Sequence, residues 1–229
     1  MASSEATSPD WVVVKTTLPT VPLPSNADRS TLTTERLIIR PLNQDDLEPL
    51  YVLATQEPVM RWTALGRVDA DRTETQARLD RFTPPNDTIT HNCAICLRES
   101  GDLIGIGGVH KFTGDHGWPE MGYMLRQEHW GKGLATEFVR AFLRAWDALP
   151  RSEVELKVSR KAAGENVKEG DVVEERLVAI TAGTNAKSQK ILDKCGLERF
   201  LEYVEDDLAD PTSKIDLVAF RHFPGRTSK

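Results

Sequence analysis

The most constraining feature of the sequence is a glycine-containing bend between an apolar strand and an amphipathic helix. The run Glu120–Leu125 is followed by Trp-Gly-Lys-Gly at 130–133, and large apolar residues then recur at helical spacing up to Pro150. Glycines permit a tight turn and let a ligand approach the backbone closely. The first turn of a helix has free N–H groups and carries about half a positive charge. The segment therefore predicts a cradle for a pyrophosphate.

Two commoner phosphate-binding motifs do not fit this spacing. A Walker loop needs Gly-x-x-x-x-Gly-Lys followed by Ser or Thr, whereas Lys132 is followed by Gly133. A dinucleotide fingerprint needs a third glycine where Thr136 stands. The bend taken alone leaves a second interpretation open, namely a glycine turn that only joins a strand to a helix.

Hydrophobic periodicity predicts an α+β chain built on a single mixed, mostly antiparallel sheet flanked by helices. The expected order is a strand, two helices, three strands, a helix, a strand, a helix and two strands. Thr73 and Gln76 are expected to form a capping box that opens the second helix, which runs through Leu79 and Phe82. The three middle strands are expected at about 89–97, 103–111 and 120–125, with Gly105–Gly108 packed closely against a neighbouring backbone.

Composition changes along the chain suggest its division. Residues 1–30 are expected to form an N-terminal tail and arm, of which residues 1–10 are small, polar and disordered. Residues 31–229 form the main domain. Within it, residues 151–175 are mostly polar and charged and are interpreted as an insertion.

Charge and cysteine content limit the partners and the compartment. The 229 residues carry a formal net charge of -6, which disfavours nucleic acid and anionic membranes as partners. No apolar run is long enough to span a bilayer, and no signal peptide is visible. Three widely spread cysteines argue against a disulfide framework, so the expected location is cytoplasmic, or cytoplasmic and nuclear.

Several motifs in a fixed order resemble the GNAT (Gcn5-related N-acetyltransferase) superfamily, and within it the branch that includes ribosomal-protein-alanine N-acetyltransferases. The resemblance covers about residues 32–222. Its motifs are Thr34–Leu42, Glu120–Tyr123, Trp130–Glu137, Ala179–Ser188 and Lys194–Leu197. Two features depart from the family pattern: Glu128 stands where the coenzyme motif usually has Gln or Arg, and the 151–175 stretch is longer than usual.

The resemblance implies an acyl-CoA N-acyltransferase fold in which the fourth and fifth core strands splay apart. It implies an enzyme that uses acetyl-CoA as acetyl donor and transfers the acetyl group to a primary amine of a small molecule or protein. The alternative is a non-catalytic CoA-binding domain of the same fold. A monomer and a homodimer both remain open.

The resemblance also implies which residues bind the coenzyme. Met124, Leu125 and Arg126 should hold the pantetheine amides. Asn185 should bond the pantetheine, or should only cap the helix that follows it. The pyrophosphate should lie against the bend and the helix start, formed by Trp130, Gly131, Lys132, Gly133, Leu134, Ala135 and Thr136.

Acetyl transfer requires a neutral amine, so a base must remove a proton from an ammonium group. Glu120 is the candidate, because it shares a strand face with Gly122 and Met124; a solvated carboxylate is the alternative. A backbone amide of Met124 or Leu125 would hold the oxyanion. Ser188 is a candidate proton donor to the leaving thiolate, with a solvated or helix-bonded hydroxyl as the alternative.

Other reactive side chains are given weaker roles. Cys93 and Cys96 lie three apart within a predicted strand, so they should point to opposite faces, and no metal site is predicted. His110, His116 and His129 are near the proposed site in sequence and could each act as a base, although polar surface is their simpler interpretation.

Overall fold

The chain forms an eight-stranded sheet with helices on both faces and a separate two-stranded ribbon. A computed structural model describes residues 11–164, 166–210 and 212–226. The strands are β1 Trp11–Pro19, β2 Leu32–Thr33, β3 Leu37–Pro41, β4 His91–Leu97, β5 Leu103–Lys111, β6 Glu120–Leu125, β7 Arg151–Ser159, β8 Leu177–Ala182, β9 Glu198–Asp206 and β10 Lys214–His222. The helices are α1 Leu47–Ala54, α2 Glu57–Met60, α3 Arg72–Asp80, α4 Leu134–Asp147, α5 Arg160–Ala163 and α6 Ala186–Lys194.

The large sheet has the order β2-β3-β4-β5-β6-β8-β10-β9. Its pairs are antiparallel except for β6 and β8, which are parallel. The predicted α+β class and mixed, mostly antiparallel sheet are therefore confirmed. The single parallel junction arises because α4 and β7 lie between β6 and β8 in the chain, and such a crossover returns the chain in the same direction.

The parallel junction is short. Only Glu120 with Val178 and Met121 with Ala179 are paired across it. Beyond these two pairs, no further pairing joins the described residues of β6 and β8, although each strand continues to its own end. The two strands consequently diverge and flank a cleft that opens at their C-terminal ends.

Helix α4 provides most of the apolar packing on one face of the sheet. Phe138, Phe142 and Trp146 recur every four residues and are almost fully buried, at 0–1% exposure. The aromatic rings stack along the helix, with centroids 5.8 and 6.3 Å apart. A Cβ atom at Gly107 would lie 2.6 Å from the Phe138 ring, so β5 can pack here only with a glycine. A Cβ at Gly105 would lie 2.3 Å from the Met124 carbonyl oxygen, and one at Gly108 would lie 2.2 Å from that of His91. These two contacts confirm the close backbone packing predicted for the glycine-rich part of β5.

Helices α1 and α3 cover the opposite face, and the predicted start of α3 is wrong. The side chain of Asp71 accepts a hydrogen bond from the Glu74 N–H at 3.0 Å, and Glu74 accepts from the Ala70 N–H at 2.7 Å. The cap therefore lies two residues before the predicted Thr73–Gln76 box, because an Asp two residues upstream offers an equally good cap. The helix also ends at Asp80, before Phe82.

The ribbon joins the two segments that the sequence analysis treated as an arm and an insertion. Strand β1 pairs with β7 along its whole length, from Trp11 opposite Ser159 to Pro19 opposite Arg151. The inner face of the ribbon packs on an apolar cluster that includes Trp118 and α5 and is separate from those under α4 and under α1 and α3. Residues 1–10, expected to be disordered, lie outside the described residues. Among the described residues, no helix combines the length and the apolar character needed to cross a membrane.

His91 gives a prediction about stability and pH. Its ring packs 5.7 Å from Phe142 and 6.1 Å from Trp146. Burial, together with the charge of Arg29, lowers the pKa of His91 to about 4. In the unfolded chain, His91 has a pKa of about 6.5, so on acidification the unfolded state takes up a proton before the folded state does. The free energy of unfolding is therefore highest above about pH 6.5 and decreases as the pH falls towards 4.

Through His91, the native protein should lose about 2–3 kcal/mol of stability between pH 7 and pH 4.5, because one pKa unit corresponds to about 1.36 kcal/mol. We expect the His91→Gln variant to lack this part of the loss. Urea unfolding of both proteins at the two pH values measures the difference. An unchanged loss of stability in the variant would show that His91 does not titrate this way.

Candidate active site

The cleft between β6 and β8 is lined by alternate backbone groups of β6. The N–H of Arg126 donates to the carbonyl of Ile104 at 2.8 Å, which turns the Arg126 backbone towards β5. In an antiparallel pair this direction alternates, so Met124 also faces β5, while Tyr123 and Leu125 face the cleft. The carbonyl of Leu125 already accepts the indole N–H of Trp130 at 2.7 Å. The Leu125 N–H therefore remains as a donor directed into the cleft.

The glycine bend follows directly and is open. Gly131 and Gly133 have φ of +72° and +79°, a region that disfavours other residues. A Cβ at Gly131 would meet nothing within 4 Å, and one at Gly133 would meet only a guanidinium nitrogen of Arg36 at 3.4 Å. The bend is thus not packed beneath other side chains.

Helix α4 begins at Leu134 without a side-chain cap. Its first N–H groups, those of Leu134, Ala135 and Thr136, precede the first intrahelical bond, which Glu137 makes to Gly133 at 3.1 Å. Uncapped N–H groups and the helix dipole together form a site for an anion. At the bend, Gly131, Lys132 and Gly133 are exposed, whereas the Leu134 side chain that follows is 4% exposed and packs in the core.

Several cations lie at this end of α4 or farther along the helix, although the whole chain is acidic. The Lys187 ammonium lies 5.4 Å from the centre of the Trp130 ring. A groove of about 640 Å³ runs along α4 from Gly133 and is also lined by Arg36, Arg140, Arg144 and Lys194. Glu137 offsets part of this charge through an ion pair with Arg36 at 2.7 Å. The local potential thus attracts a phosphorylated ligand despite the net charge of -6.

Glu120 lies at the closed end of the cleft and is only 8% exposed. Its Oε1 lies 3.2 Å from Nε2 of His110, and its Oε2 accepts a 3.4 Å hydrogen bond from the Asp115 N–H. Burial acts to raise the pKa of Glu120, but the hydrogen bond from His110, the charge that this imidazole carries when protonated, and the charge of Lys111 outweigh it. The pKa of Glu120 therefore lies below its ordinary value, and the group is a carboxylate at neutral pH.

The pairing of His110 with Glu120 is not predictable from the sequence. The register of β5 and β6 shifts between Val109 and Lys111, so His110 sits at a bulge. A bulge re-aims a side chain, and nothing in the residue pattern marks it. The His110 ring lies over Gly122, where a Cβ would come within 3.4 Å of ring atoms Cε1 and Nδ1. The pair therefore occupies the same strand face as Met124, as predicted for Glu120.

Further carboxylates lie around Glu120. Asp115 is next to it and bonds the Lys111 ammonium at 2.7 Å. The pKa of Glu205 is raised by burial and also by the charges of Asp115 and Glu120. This part of the site consequently has a negative potential, which favours a cationic group over an anionic one.

Tyr123 connects β6 to α6 beside the cleft. Its hydroxyl lies 2.9 Å from the Ser188 Oγ and donates a longer bond, 3.4 Å, to the Ser188 carbonyl. Burial raises the pKa of Tyr123 to about 12, so the phenol keeps its proton at neutral pH. The Asn185 side chain accepts the Ser188 N–H at 3.1 Å and caps α6. The sequence pointed to Ser188 and Asn185 but not to Tyr123, because its partner lies 65 residues away.

The remaining side chains singled out in the sequence, Glu128, Cys93 and Cys96, lie outside the cleft. Glu128 lies in a short 3-10 turn, Gln127–His129, where its Oε2 accepts a hydrogen bond from the Gln56 amide at 3.0 Å. Cys93 and Cys96 belong to the apolar clusters on opposite faces of the sheet, as predicted from their spacing. In the described parts of the chain, no group of three or more His, Cys, Asp or Glu side chains is placed to hold a metal ion.

Comparison with known proteins agrees with this architecture. Residues 36–198 match the sequence model of the family described as acetyltransferase (GNAT) domain. The uncharacterized N-acetyltransferase p20 of Bacillus licheniformis is 28% identical over 133 residues, which cover 56% of this chain and 72% of that protein.

Two solved structures share the fold. A GNAT-family acetyltransferase from Bacillus anthracis superposes with a TM-score of 0.61 at 18% identity and covers 86% of this chain and 100% of its own. Spermidine N-acetyltransferase from Vibrio cholerae, solved with CoA and spermine, has a TM-score of 0.62 at 16% identity, with coverage of 83% and 97%. The family match extends over most of the chain and includes the cleft, the bend and the start of α6. The chain therefore belongs to the GNAT family of acetyltransferases.

Proposed function

We propose that this protein transfers the acetyl group of acetyl-CoA to a primary amine by direct attack of the amine on the thioester. The observation that carries the proposal is the combination of diverging strands β6 and β8 with an open, uncapped start of α4 beside them. An extended ligand arm can pair with the free side of β6 as a further strand would. Its diphosphate then reaches the N–H groups at the bend.

The backbone directions refine the donor site. Leu125 and Tyr123 are the residues whose backbone groups face the cleft, so we assign the pantetheine amides to them in place of Met124 and Arg126. The Leu125 N–H is the better placed of the two amides considered for the oxyanion. The Met124 side chain lies on the face of β6 that carries Glu120, where the acceptor would bind. We assign the phosphates to Lys187 and the glycine bend.

The cradle can be tested by removing one backbone N–H. Proline is tolerated in the first turn of a helix, so Ala135→Pro deletes a cradle donor while α4 still forms. Ala135→Val is the matched control, because it adds similar bulk and keeps the N–H. We expect CoA affinity, measured by calorimetry, to fall roughly 10-fold or more for the proline variant, the range of a charged hydrogen bond. Equal affinities for the two variants, or no binding by the native chain, would refute this site.

For the acceptor side, we propose that Glu120 and His110 act as one base. When the His110 imidazole is in its neutral form with the proton on Nε2, this N–H donates a hydrogen bond to Glu120, and Nδ1 is left as an acceptor beside Gly122. The proton of the incoming ammonium passes to Nδ1, and the buried carboxylate stabilises the imidazolium that forms. The surrounding carboxylates favour an acceptor that arrives as a cation.

Glu120→Gln and His110→Gln test the base. We expect each to lower kcat by about 10²- to 10⁴-fold with little change in CoA affinity, because general bases contribute in this range. The double variant should be hardly worse than either single one, since the two groups act as a unit. Full activity in both variants would rule out this base. CoA binding without turnover of any amine by the native protein would instead identify a non-catalytic CoA-binding domain.

On the leaving-group side, Tyr123 and Ser188 act together. A phenol with a pKa of about 12 does not give up its proton to a thiolate, whose conjugate acid has a pKa of about 8.5. It can, however, donate a hydrogen bond to the developing charge. Ser188, at 2.9 Å, holds the hydroxyl in position. We therefore assign Tyr123 as the donor to the leaving sulfur and Ser188 as the residue that orients it.

Tyr123→Phe should then lower kcat by about 10-fold, the value of one hydrogen bond to a charged group, without a matching rise in KM. Ser188→Ala should have a smaller effect in the same direction. Both rates are measured with acetyl-CoA and an accepted amine found by screening an amine library. The assignment is wrong if Ser188→Ala is the more damaging change, because Ser188 would then be the direct donor.

A further inference from the structure

A basic groove extends from the diphosphate cradle along the outer face of α4. It has a volume of about 640 Å³ and shares Gly133 and Thr136 with the cradle. It is also lined by residues 33–36 and by Lys194, the last residue of α6. Only Gly133 and Thr136 of these residues belong to the cradle, so the rest of the groove is available to another part of the same ligand.

The cations that line the groove differ in how far they are neutralised. Arg36 is paired, because its Nε donates to Glu137 at 2.7 Å. Three other cations are exposed and have no ion-pair partner among the described residues, namely Arg140, Arg144 and Lys194. Unpaired cations around one groove favour a compact group with close to two negative charges, such as a phosphate monoester.

Arg140 is held in position for such a contact. Its Nη2 donates to the Lys194 carbonyl at 2.8 Å, so the guanidinium bridges α4 and the end of α6. This bond fixes the side chain without cancelling its charge, because a carbonyl group is neutral. A guanidinium has five N–H donors in one plane, so others remain for a bidentate contact with a phosphate. The Lys194 side chain starts beside this guanidinium and adds a second charge.

Spacing along α4 distinguishes Arg140 from Arg144. Thr136, Arg140 and Arg144 follow at intervals of four residues on one helix face, and each interval is about 6 Å at 1.5 Å per residue. In CoA, the diphosphate and a third phosphate occupy the 5′ and 3′ positions of one ribose. They lie no farther apart than neighbouring phosphates of a nucleic-acid strand. With the diphosphate at the start of α4, the third phosphate can contact Arg140, whereas Arg144 lies one helical turn beyond it.

We propose that Arg140 and Lys194 bind the 3′-phosphate of CoA and make the protein selective for CoA over 3′-dephospho-CoA. This inference rests on the proposed acetyl-CoA-dependent function, which assigns the diphosphate to the bend. Arg140 supplies a planar, bidentate contact, and Lys194 supplies a point charge. Arg144 adds only a longer-range attraction, which salt screens over about 8 Å at about 0.15 M.

The test is calorimetry on the full chain with CoA and with 3′-dephospho-CoA, which lacks only the 3′-phosphate. In about 0.15 M salt, we expect the native protein to bind CoA about 10-fold more tightly or better, the range of hydrogen bonds to a charged group. Arg140→Gln should abolish most of this preference by weakening CoA binding, with little change in the affinity for 3′-dephospho-CoA. If Arg140 only supported α6, both affinities would fall together and their ratio would stay as in the native protein.

Lys194→Gln is a second variant, because the Lys194 ammonium has no hydrogen bond or ion pair within the described residues. It should reduce the preference for CoA about two- to fivefold, as expected for an exposed charge pair. Arg144→Gln is the matched control, since it removes the same charge from the same helix face one turn farther on. Its preference should change by less than about twofold, because salt screens the longer distance.

Equal binding of the two ligands by the native protein overturns the 3′-phosphate site and leaves the proposed acetyl transfer intact. An Arg144→Gln variant that loses as much of the preference as Arg140→Gln also overturns it, because the phosphate would then not be held locally. Binding of neither ligand would refute the proposed function and this site together.

Discussion

The two-residue parallel pairing of β6 and β8 is the constraint on which the site depends. Two residue pairs keep the two strands in one sheet. Because the pairing ends there, the backbone groups of Tyr123 and Leu125 that face β8 have no partner on that strand. An unpaired strand edge normally costs stability or attracts another chain. Here it lies within the fold, between two covered faces, where a ligand arm can complete it. The glycine bend then places helix N–H groups at the end of the same edge.

Electrostatics divides the site into two ends with opposite character. The bend has Lys187, Arg36 and the helix dipole, whereas the closed end has Glu120 with Asp115 and Glu205 nearby. The bend therefore favours an anionic group, and the closed end of the same cleft favours a cationic one. At the bend, the nearby cations and the helix dipole act at shorter range than the acidic charge of the whole chain.

Local signals in the sequence predicted much of this arrangement. Glycines with fixed positions and an apolar stripe were enough to locate α4 and the bend, because both depend on neighbouring residues. The wrong cap of α3 shows the limit of such signals, since Asp71 and Thr73 are chemically similar caps and only the packed helix decides between them. The pairing of His110 with Glu120 and the contact of Tyr123 with Ser188 were missed for another reason. A β-bulge and a contact across 65 residues leave no periodic trace in the sequence.

The ribbon has a consequence for the order in which the chain acquires structure. Pro19 lies opposite Arg151, so β1 has no partner strand until roughly 130 further residues have been synthesised. Closing so long a loop is entropically unfavourable early, and the contacts that compensate it, on Trp118 and α5, belong to later parts of the chain. The ribbon should therefore assemble onto a central sheet that has already condensed. We expect the outer strand of the ribbon to pair after the rest of the molecule has folded.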